Sequence, residues 1–431
     1  MSDEMTNKGQ SMPVLVIGAG IAGIEASLLL ASSGRKVYLV EKTSYIGGNV
    51  IKLEEVFPNM ECATCMVAPK QQEVLANENI EVLTLSEVEA VSGSFGDFSV
   101  KVRKKARYVD MEACLGCYEA CSEPCPVEVD NEFEECLSKR KAIYIPCAGA
   151  LPNVPAIDTE NCLRFNGQEC QACQEACMFE AIDFSQQDEE VELKVGAIVV
   201  ATGFTSLDLG TTTQYGYKKF DDVYSAMEME RICASNGPTQ GQIVTQSGKP
   251  PRSVALIHCV GREQKGYCSS ICCMAALKLS HFFEKQLPEL KITHFYSDLC
   301  IGGKAYQKFY HEVKDSGVEF IRGTVIEVSN PGEGLQVRYK AEDGEEGALT
   351  VDMVVLNPAL EPAQESDKLA EVLNVPQGAG GFFIEKEPDF SSVDTERDGI
   401  FLAGCAQSPK DVAETVAEAE ATAGRILSLL R

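Results

Sequence analysis

Apolar residues along the chain fall into short runs separated by glycine-rich or polar turns. Near the N-terminus, "MPVLVIGAGIAGIEASLLLASSGRKVYLVEK" places apolar runs at residues 13–17 and 36–41 on either side of a longer stretch. Short apolar runs bounded by turns favour buried strands, and the longer stretch between them favours a helix. The segment therefore predicts a strand, a helix and a second strand, as in a parallel sheet with a crossover helix.

The same alternation restarts at Ser253. The predicted strands are "SVALIH", "KITHFYSD", "VEFIRGTVIEV", "LQVRYKA" and "LTVDMVVLNP", and the predicted helices are "AALKLSHFFEKQ" and "KAYQKFYHEVKDSG". Strands that alternate with helices in this way are typical of α/β domains. With 431 residues, the chain is long enough for two or three domains.

The turn after the first predicted strand carries Gly18, Gly20 and Gly23 in the spacing G-x-G-x-x-G. Between a strand and a helix, these glycines permit a tight turn, close approach of a pyrophosphate and close packing of the helix. Glu41 ends the second strand, where a carboxylate accepts a hydrogen bond from an adenosine ribose. We therefore predict a dinucleotide site, and its further expected lining residues are Ile21, Ala22, Lys42 and Gly48.

Two later segments favour FAD as the dinucleotide. "VGAIVVATGF", with Thr202 and Gly203, is similar to the strand by which flavoproteins with two dinucleotide folds leave the flavin domain. "DGIFLAGCAQSPKDVAETVAEAEATAGRIL" is similar to their second flavin-contacting motif. Gly404 keeps the glycine of that motif, and Cys405 stands where the motif has Asp.

Eight cysteines lie between the predicted strands "FSVKVRKKARYV" and "VELKVGAIVVATG". They form two blocks, at Cys114, Cys117, Cys121 and Cys125 and at Cys162, Cys170, Cys173 and Cys177. In a two-cluster ferredoxin, each block gives three ligands to one cluster and its last cysteine to the other. The first block has one longer spacing than usual, and Met178 replaces the proline that usually ends the second block. A closed tetrahedral zinc site is the alternative.

Four more cysteines follow the first strand of the second half, in "IHCVGREQKGYCSSICC". They are Cys259, Cys268, Cys272 and Cys273. A nucleotide loop needs glycines so that backbone amides reach phosphate, and neither Gly261 nor Gly266 has the required spacing. We hypothesise that a [4Fe–4S] cluster replaces the nicotinamide site here. A group of buried thiols is the alternative.

Cys62 and Cys65, in "ECATC", stand where disulfide-reducing flavoproteins of this type carry a redox-active pair. A redox pair, a pair of cluster ligands and two buried bystanders remain open as interpretations. Four other cysteines have no convincing partner spacing and are predicted to be buried free thiols. These are Cys136, Cys147, Cys233 and Cys300.

Composition and charge limit the possible binding partners and indicate the cellular compartment. The formal net charge of −27 argues against nucleic acid or an anionic lipid surface as the main partner, and solubility is an alternative reason for most of the acidic surface. Residues 1–12 lack the pattern of a secretory signal, and the apolar run at 13–24 is too short to span a bilayer. We therefore expect a cytoplasmic protein, in which the clustered members of its 19 cysteines bind metal or do redox chemistry.

A family resemblance covers nearly the whole chain. "CATCMVAPK", "NEFEECLSKRKAIYIP", "IHCVGREQKGYCSSICC" and "IFLAGCAQSPKD" together resemble the A subunit of heterodisulfide reductase and its relatives. That protein usually carries a further C-terminal ferredoxin region, and the shorter form here resembles the A subunit of the quinone-interacting membrane-bound oxidoreductase complex. The resemblance implies FAD at the glycine motif, Glu41 and Gly404, a cluster on the cysteines from Cys259 to Cys273, and two to three [4Fe–4S] clusters in all.

The resemblance also implies a function in electron transfer between subunits. It suggests a link between the membrane quinone pool and adenylylsulfate reductase in dissimilatory sulfur metabolism. The implied partners are other iron–sulfur and flavin subunits, among them a membrane quinone-reactive one, together with adenylylsulfate reductase, and membrane association is expected only through a partner. A heterodisulfide reductase A homologue in a flavin-based electron-bifurcating complex is the alternative. A self-sufficient pyridine-nucleotide disulfide reductase is disfavoured because the second glycine loop is missing.

The expected architecture combines these features. We predict an α/β, thioredoxin-reductase-like flavoprotein with two dinucleotide-binding domains and an inserted ferredoxin-like iron–sulfur module. The FAD-binding domain is expected in three segments, residues 13–106, 186–250 and 359–431. The inserted module is expected at 107–185, and a second Rossmann-like domain without a nucleotide loop at 251–358.

Overall fold

The structure is a computed structural model that describes residues 12–430. Residues 1–11, on which the prediction about a secretory signal largely depends, lie outside the described residues. Within residues 12–430, no helix combines the length and the apolar character that crossing a membrane requires.

The first unit is built on a parallel sheet of five strands. In spatial order the strands are Ile400–Leu402, Ala197–Val200, Val14–Ile17, Val37–Val40 and Ile80–Leu83. Successive side chains of a strand face opposite sides, so Val14 packs on one face of the sheet and Leu15 on the other. All four residues of the strand Val14–Ile17 are buried, as expected for a parallel sheet covered on both faces.

Helices cover one face of this sheet, and an antiparallel sheet covers the other. The helices are Ile21–Ser32, Ala63–Ala76 and Val412–Leu429. The antiparallel sheet contains Ser86–Ser94, Asp97–Lys104 and Glu189–Val195, with the helix Ser366–Leu373 packed beside it. The first strand, the first helix and the second strand predicted from the sequence are confirmed.

The second unit is a seven-stranded sheet. Its spatial order is Val223–Ser225, Met353–Pro358, Ser253–Val260, Lys291–Tyr296, Glu319–Ser329, Leu335–Ala341 and Glu346–Val351. The first five strands run parallel and the last two pair antiparallel. The helices that pack on this sheet are Ala226–Cys233, Cys272–Gln286 and Tyr306–Asp315. A single helical turn, Arg262–Lys265, follows the strand Ser253–Val260.

The predicted start of the second unit at residue 251 is too late. The strand Val223–Ser225 and the helix Ala226–Cys233 belong to this unit, although they precede Ser253. A three-residue strand is too short to show a hydrophobic period, so the pattern of apolar residues does not reveal it. Phe204–Ser206 and Leu360–Pro362 pair antiparallel, close to where the chain leaves and re-enters the first unit.

The cysteine-rich segment leaves the first unit after Asp97–Lys104 and returns at Glu189–Val195. These two strands pair with each other, so the segment is an insertion at the end of a hairpin. Its elements are short: the helices Tyr118–Ser122 and Ala172–Ala176, and the strand pairs Glu128–Asp130 with Lys139–Lys141 and Ile143–Tyr144 with Ala156–Ile157. Its buried core contains cysteines beside a few aliphatic residues.

A buried ion pair joins the insertion to the second unit. Arg231, which is 1% exposed, contacts Glu134 with its Nε 2.9 Å from the carboxylate. A second guanidinium nitrogen donates to the carbonyl of Lys52 in the first unit, at 2.7 Å. Arg231 therefore connects all three parts of the chain.

Candidate functional site

A cavity of about 640 Å³ is lined by residues of both units and of the insertion. Ten of the twelve residues predicted to bind the cofactor line it: Gly18, Gly20, Ile21, Ala22, Glu41, Lys42, Gly48, Thr202, Gly203 and Cys405. Gly23 and Gly404, the other two, lie beside it in the glycine turn and before the C-terminal helix. The sequence segments that predicted FAD, though distant along the chain, therefore converge on one cavity.

Two glycines of the motif are required by close backbone contacts. Gly18 has φ +103°, and a Cβ there would lie 2.3 Å from the carbonyl oxygen of Ala201. A Cβ on Gly23 would lie 1.8 Å from the carbonyl oxygen of Gly18. Gly18 thus permits the turn, and Gly23 allows the helix to pack against it.

The Glu41 carboxylate is held at the end of the second strand by three hydrogen bonds. One oxygen accepts from the Ala19 amide at 2.7 Å, and the other accepts from the amide and hydroxyl of Thr43 at 2.8 and 2.9 Å. Burial raises the pKa of Glu41. The carboxylate lines the cavity, at the end of the second strand, where dinucleotide folds place an acid that accepts from a ribose hydroxyl.

The C-terminal helix directs its N-terminus at the same cavity. Asp411 caps the helix Val412–Leu429 through a capping box with Glu414, and Asp411 and Thr415 line the cavity. Gly404 has φ +66° and donates its amide to Glu418 at 2.6 Å. A helix N-terminus favours negative charge, which suits an anionic reduced flavin.

Several further cavity residues were not predicted to bind the cofactor. They are mainly cationic or polar: Asn49, Lys52, Arg140, Tyr144, Lys278 and Lys410. Lys278 lies inside an otherwise apolar stretch of its helix, where a lysine is unusual. Arg140 and Tyr144 belong to the insertion, whose contribution to this cavity the motifs did not indicate.

The eight cysteines of the insertion line two small cavities. The first cavity is lined by Cys125, Cys162, Cys170 and Cys173, and the second by Cys114, Cys117, Cys121 and Cys177. Each cavity thus has three cysteines of one block and the last cysteine of the other. This is the exchange of the fourth ligand that a two-cluster ferredoxin requires.

The cysteines of the second unit also lie close together. Cys259 lies within a bulge of the strand Ser253–Val260 and has φ +57°, while Cys272 and Cys273 begin the helix Cys272–Gln286. The pKa of Cys272 is raised well above its usual value by a hydrogen bond with Cys273, by burial, and by the charges of Cys273, Cys259 and Cys268. The hydrogen bond with Cys272 lowers the pKa of Cys273 to about 4.

A fifth cysteine, Cys300, lies beside this group and was not predicted there. Its amide donates to the sulfur of Cys273 at 3.4 Å. Its position after the neighbouring strand Lys291–Tyr296 brings it to the same sheet edge, a relation that spacing along the chain did not reveal. Of the four cysteines predicted to be buried free thiols, Cys233 is buried, Cys147 and Cys300 are half-buried, and Cys136 is exposed.

Cys62 and Cys65 form a separate pair at the start of the helix Ala63–Ala76. Their sulfur atoms are 2.7 Å apart, and Cys62 accepts a hydrogen bond from the Cys65 amide at 3.3 Å. Cys62 is half-buried and Cys65 is exposed, so they are not a buried pair of bystanders. Cys62 ends a short strand that pairs with Glu55–Val56, and Val56 lines the large cavity.

The sequence comparisons agree with these observations. A family model described as FAD dependent oxidoreductase matches residues 13–118. The chain is 40% identical over 433 residues to the A subunit of the Ferredoxin/F(420)H(2)-dependent CoB-CoM heterodisulfide reductase of Methanosarcina acetivorans, covering 99% of this chain and 54% of the relative. It is 43% identical to an iron-sulfur A subunit of the CoB--CoM heterodisulfide reductase of Methanopyrus kandleri, covering 95% and 63%.

The chain is homologous to the A subunit of heterodisulfide reductase. The predicted resemblance to that protein is confirmed. It spans about half to two thirds of the length of these curated relatives.

Solved structures confirm the predicted fold class. The thioredoxin reductases of T. acidophilum and Lactococcus lactis each match with a TM-score of 0.54, at 14% and 13% identity. Each match covers 97% of this chain and 99% of the other. The two units therefore have the thioredoxin-reductase-like, two-domain α/β fold.

Proposed function

We propose that the chain is an electron-transfer subunit that holds FAD in the large cavity and iron–sulfur clusters on its cysteine groups. FAD exchanges two electrons at a time and a cluster exchanges one, so the combination connects two-electron and one-electron partners. The observation that carries the proposal is the division of eight cysteines into two cavities with exchanged fourth members. The family model for FAD-dependent oxidoreductases supports the flavin.

The geometry of the thiols favours clusters over zinc. A zinc ion draws four thiolates to within about 2.3 Å of one point. Each cavity takes its fourth cysteine from the other block. This exchange is the ligand pattern of a two-cluster ferredoxin, whereas a zinc knuckle takes its ligands as local pairs.

We extend the proposal to a third cluster on Cys259, Cys268, Cys272 and Cys273. The left-handed backbone at Cys259 supports it, because such strain in a residue other than glycine is common at functional sites. The helix that begins at Cys272 supports it too, since its N-terminus stabilises an anionic cluster. These residues occupy the place of a nucleotide loop, so electrons reach the flavin from a protein partner rather than from NAD(P)H.

The partners are proposed to be further redox subunits. The resemblance to the quinone-interacting complex leads us to propose a link between adenylylsulfate reductase and a membrane quinone-reactive subunit, with membrane association through the latter. The relatives' names favour a second setting, a complex of the heterodisulfide reductase type. For that setting we propose flavin-based electron bifurcation. Identification of the subunits that co-purify with the native protein distinguishes these two settings.

Cys62 and Cys65 are proposed to form a reversible disulfide. Two thiols lose two protons and two electrons as one S–S bond forms, and an external disulfide accepts them by thiol–disulfide exchange. The 2.7 Å contact between the sulfur atoms and the exposure of Cys65 support this exchange. Cluster ligation is less well supported, because a cluster core separates its ligand sulfurs.

Serine variants of the insertion test the main proposal. Cys125 and Cys170 come from different blocks but line the same cavity, so Cys125→Ser and Cys170→Ser are expected to perturb the same EPR signal of the reduced protein. Cys114→Ser is expected to perturb a different signal. Iron, sulfide and flavin are measured on the same anaerobic samples, with Cys136→Ser as control because Cys136 is exposed and belongs to no group. If iron content is unchanged in all three variants, the proposal fails.

A further inference from the structure

Four large apolar side chains are exposed in the cysteine-rich insertion. Met178 is 81% exposed, Leu115 68%, Met111 46% and Phe179 40%. Ten large apolar side chains are exposed among residues 12–430, and four of the ten fall within this short segment. A single exposed apolar side chain needs no explanation, whereas a group of them marks a surface that another molecule covers.

The four side chains lie around the second cysteine cavity of the insertion. Leu115 and Phe179 themselves line that cavity. The loop of Met111 runs beside the loop that follows the second cysteine block, because the amide of Asp110 donates to the carbonyl of Ala181 at 2.7 Å. We call the surface formed by these side chains the insertion face, and its members are Met111, Leu115, Met178 and Phe179.

The insertion face covers the more accessible of the two cysteine cavities. In the second cavity Cys117 is exposed, Cys114 and Cys177 are half-buried, and Cys121 is buried. In the first cavity three of the four cysteines are buried and the fourth is half-buried. A protein seated on the insertion face therefore lies over the cysteine group of the insertion that is nearest to solvent.

The charge around the insertion face is negative. Every charged residue in the segments 108–138 and 165–193 is acidic. On the neighbouring strand pair these acids are neutralised, because Asp130 pairs with Lys139 and Glu128 with Lys141. Four acids close to the cysteines of the second cavity are instead exposed and have no ion pair with any of residues 12–430: Glu112, Glu119, Glu175 and Glu180.

We propose that the insertion face docks a one-electron redox protein whose own docking face carries Lys and Arg side chains around an apolar centre. This inference rests on the proposed function of the insertion. One electron passes from the reduced cluster of the second cavity to the partner's redox centre, and no bond forms or breaks. An apolar centre with a charged rim is the usual anatomy of a protein interface, and opposite charges speed the encounter. A second copy of this chain does not fit, since its own acids would be repelled.

Reduction of cytochrome c by the reduced full-length protein tests the charges, because cytochrome c is a basic one-electron protein. Charge reversal in Glu112→Lys/Glu180→Lys is expected to lower the second-order rate constant about tenfold at low ionic strength. The difference is expected to vanish at about 1 M salt, where the Debye length is about 3 Å. The matched control is Glu333→Lys/Glu345→Lys, which changes the net charge equally at two exposed positions of the second unit. Equal rate constants in the two double variants overturn the proposal.

A small acidic ferredoxin is the contrasting probe. Its rate of electron exchange with the protein is expected to rise with added salt, whereas the rate for cytochrome c is expected to fall, because salt screens repulsion and attraction alike. Comparing the two salt dependences removes the difference in driving force between the probes. A ferredoxin rate that falls with salt rejects a basic partner.

Leu115→Gln tests the apolar centre of the insertion face. At about 1 M salt, where charge contributes little, the rate constant with cytochrome c is expected to fall about fivefold, as for an apolar side chain at the centre of an interface. Ile326→Gln is the control, because Ile326 is also exposed, at 38%, but belongs to the second unit. An unchanged rate in Leu115→Gln overturns the proposal. A dimer of the unaltered protein that dissociates in Leu115→Gln, measured by sedimentation, overturns it in favour of a second copy.

Carbodiimide cross-linking maps the docking surface without relying on the clusters. The reagent joins a carboxylate to a lysine amine with loss of one water, and mass spectrometry locates the joined residues. Cross-links to cytochrome c are expected at Glu112 and Glu180 in preference to Glu345, and equal yields overturn the proposal. If the cross-links fall on the insertion face but Cys114→Ser leaves iron content and every EPR signal unchanged, the cluster assignment fails and the docking surface stands.

Discussion

The ammonium group of Lys278 lies 2.7 Å from the carboxylate of Glu230, and both side chains are buried. Lys278 also donates to the carbonyl of Glu55 at 2.8 Å and lines the flavin cavity. Burial raises the pKa of Glu230, opposed by the positive charge of Lys278. The pair therefore holds a cation at the cavity wall and joins the second unit to the first.

Replacement of Lys278 alone is expected to destabilise the protein. Lys278→Met leaves Glu230 as a buried charge without its partner, and breaking a buried pair in this way costs about 3–5 kcal/mol. Urea unfolding measures the change. In Lys278→Met/Glu230→Gln no uncompensated charge remains, so most of the stability is expected to return. A double variant as unstable as the single one contradicts this account.

Gly18→Ala is expected to abolish FAD retention. The new Cβ would lie 2.3 Å from the Ala201 carbonyl oxygen, so the turn that approaches the pyrophosphate cannot keep its shape. Gly34→Ala is the matched control, because Gly34 also has a positive φ, of +81°, but no atom within 4 Å of its Cβ position. The control carries the left-handed backbone cost of about 1–2 kcal/mol without the clash. Flavin absorbance after denaturation gives the ratio of FAD to protein, and full retention in Gly18→Ala rejects the assignment.

Removal of iron is expected to loosen the insertion more than the two units. Four of its cysteines, Cys121, Cys125, Cys162 and Cys173, are each 8% exposed and belong to its core. Metal binding contributes folding energy to small domains with few apolar residues. After anaerobic chelation, limited proteolysis is expected to cut first within residues 107–185. Equal cleavage rates with and without iron would show that the insertion folds independently of its clusters.

The same treatment is expected to release part of the flavin. Phe133, Arg140 and Tyr144 belong to the insertion and line the flavin cavity. Phe133 packs edge-on against Tyr45 of the first unit, with centroids 6.0 Å apart. A loosened insertion therefore opens one wall of the cavity. Flavin fluorescence in the filtrate measures the release.

The sequence predicted site residues best where those residues lie close together along the chain. Gly18 and Glu41 could be placed because a nucleotide turn uses fixed spacings within one strand, helix and strand. The exchange of Cys125 and Cys177 between two cavities was also predictable, because paired cysteine blocks have a known topology.

Contacts between distant segments were not predictable. Cys300 and Lys278 reach their sites through neighbouring strands and helices, and the spacing of residues along one segment does not report such contacts. Residues 186–250 were predicted to belong to the FAD-binding domain, so Val223–Ser225 was not placed in the second sheet. Only the pairing of this strand with Met353–Pro358 identifies it as part of the second unit.

Cys62 is expected to ionise below the usual range of a thiol. Partial burial opposes its ionisation, but hydrogen bonds from Cys65 and Thr64 outweigh burial and lower its pKa. Because the thiolate is the reactive form, alkylation of Cys62 is expected to persist to lower pH than alkylation of Cys136, whose pKa is raised by burial. Mass spectrometry of peptides alkylated across a pH series measures both residues in one sample. Equal pH profiles for the two residues contradict the prediction.

Oxidation with a small disulfide is expected to convert Cys62 and Cys65 together. In the unaltered protein this pair should lose both alkylatable thiols and the mass of two hydrogen atoms. A disulfide is expected because the two sulfur atoms already lie 2.7 Å apart. Cys65→Ala removes the hydrogen bond that stabilises the Cys62 thiolate, so the pKa of Cys62 should rise and oxidation should stop at a mixed disulfide. Cys136→Ala is the control, since it removes one thiol without affecting the pair. Retention of both thiols in the unaltered protein under conditions that oxidise Cys136 would exclude a reversible disulfide.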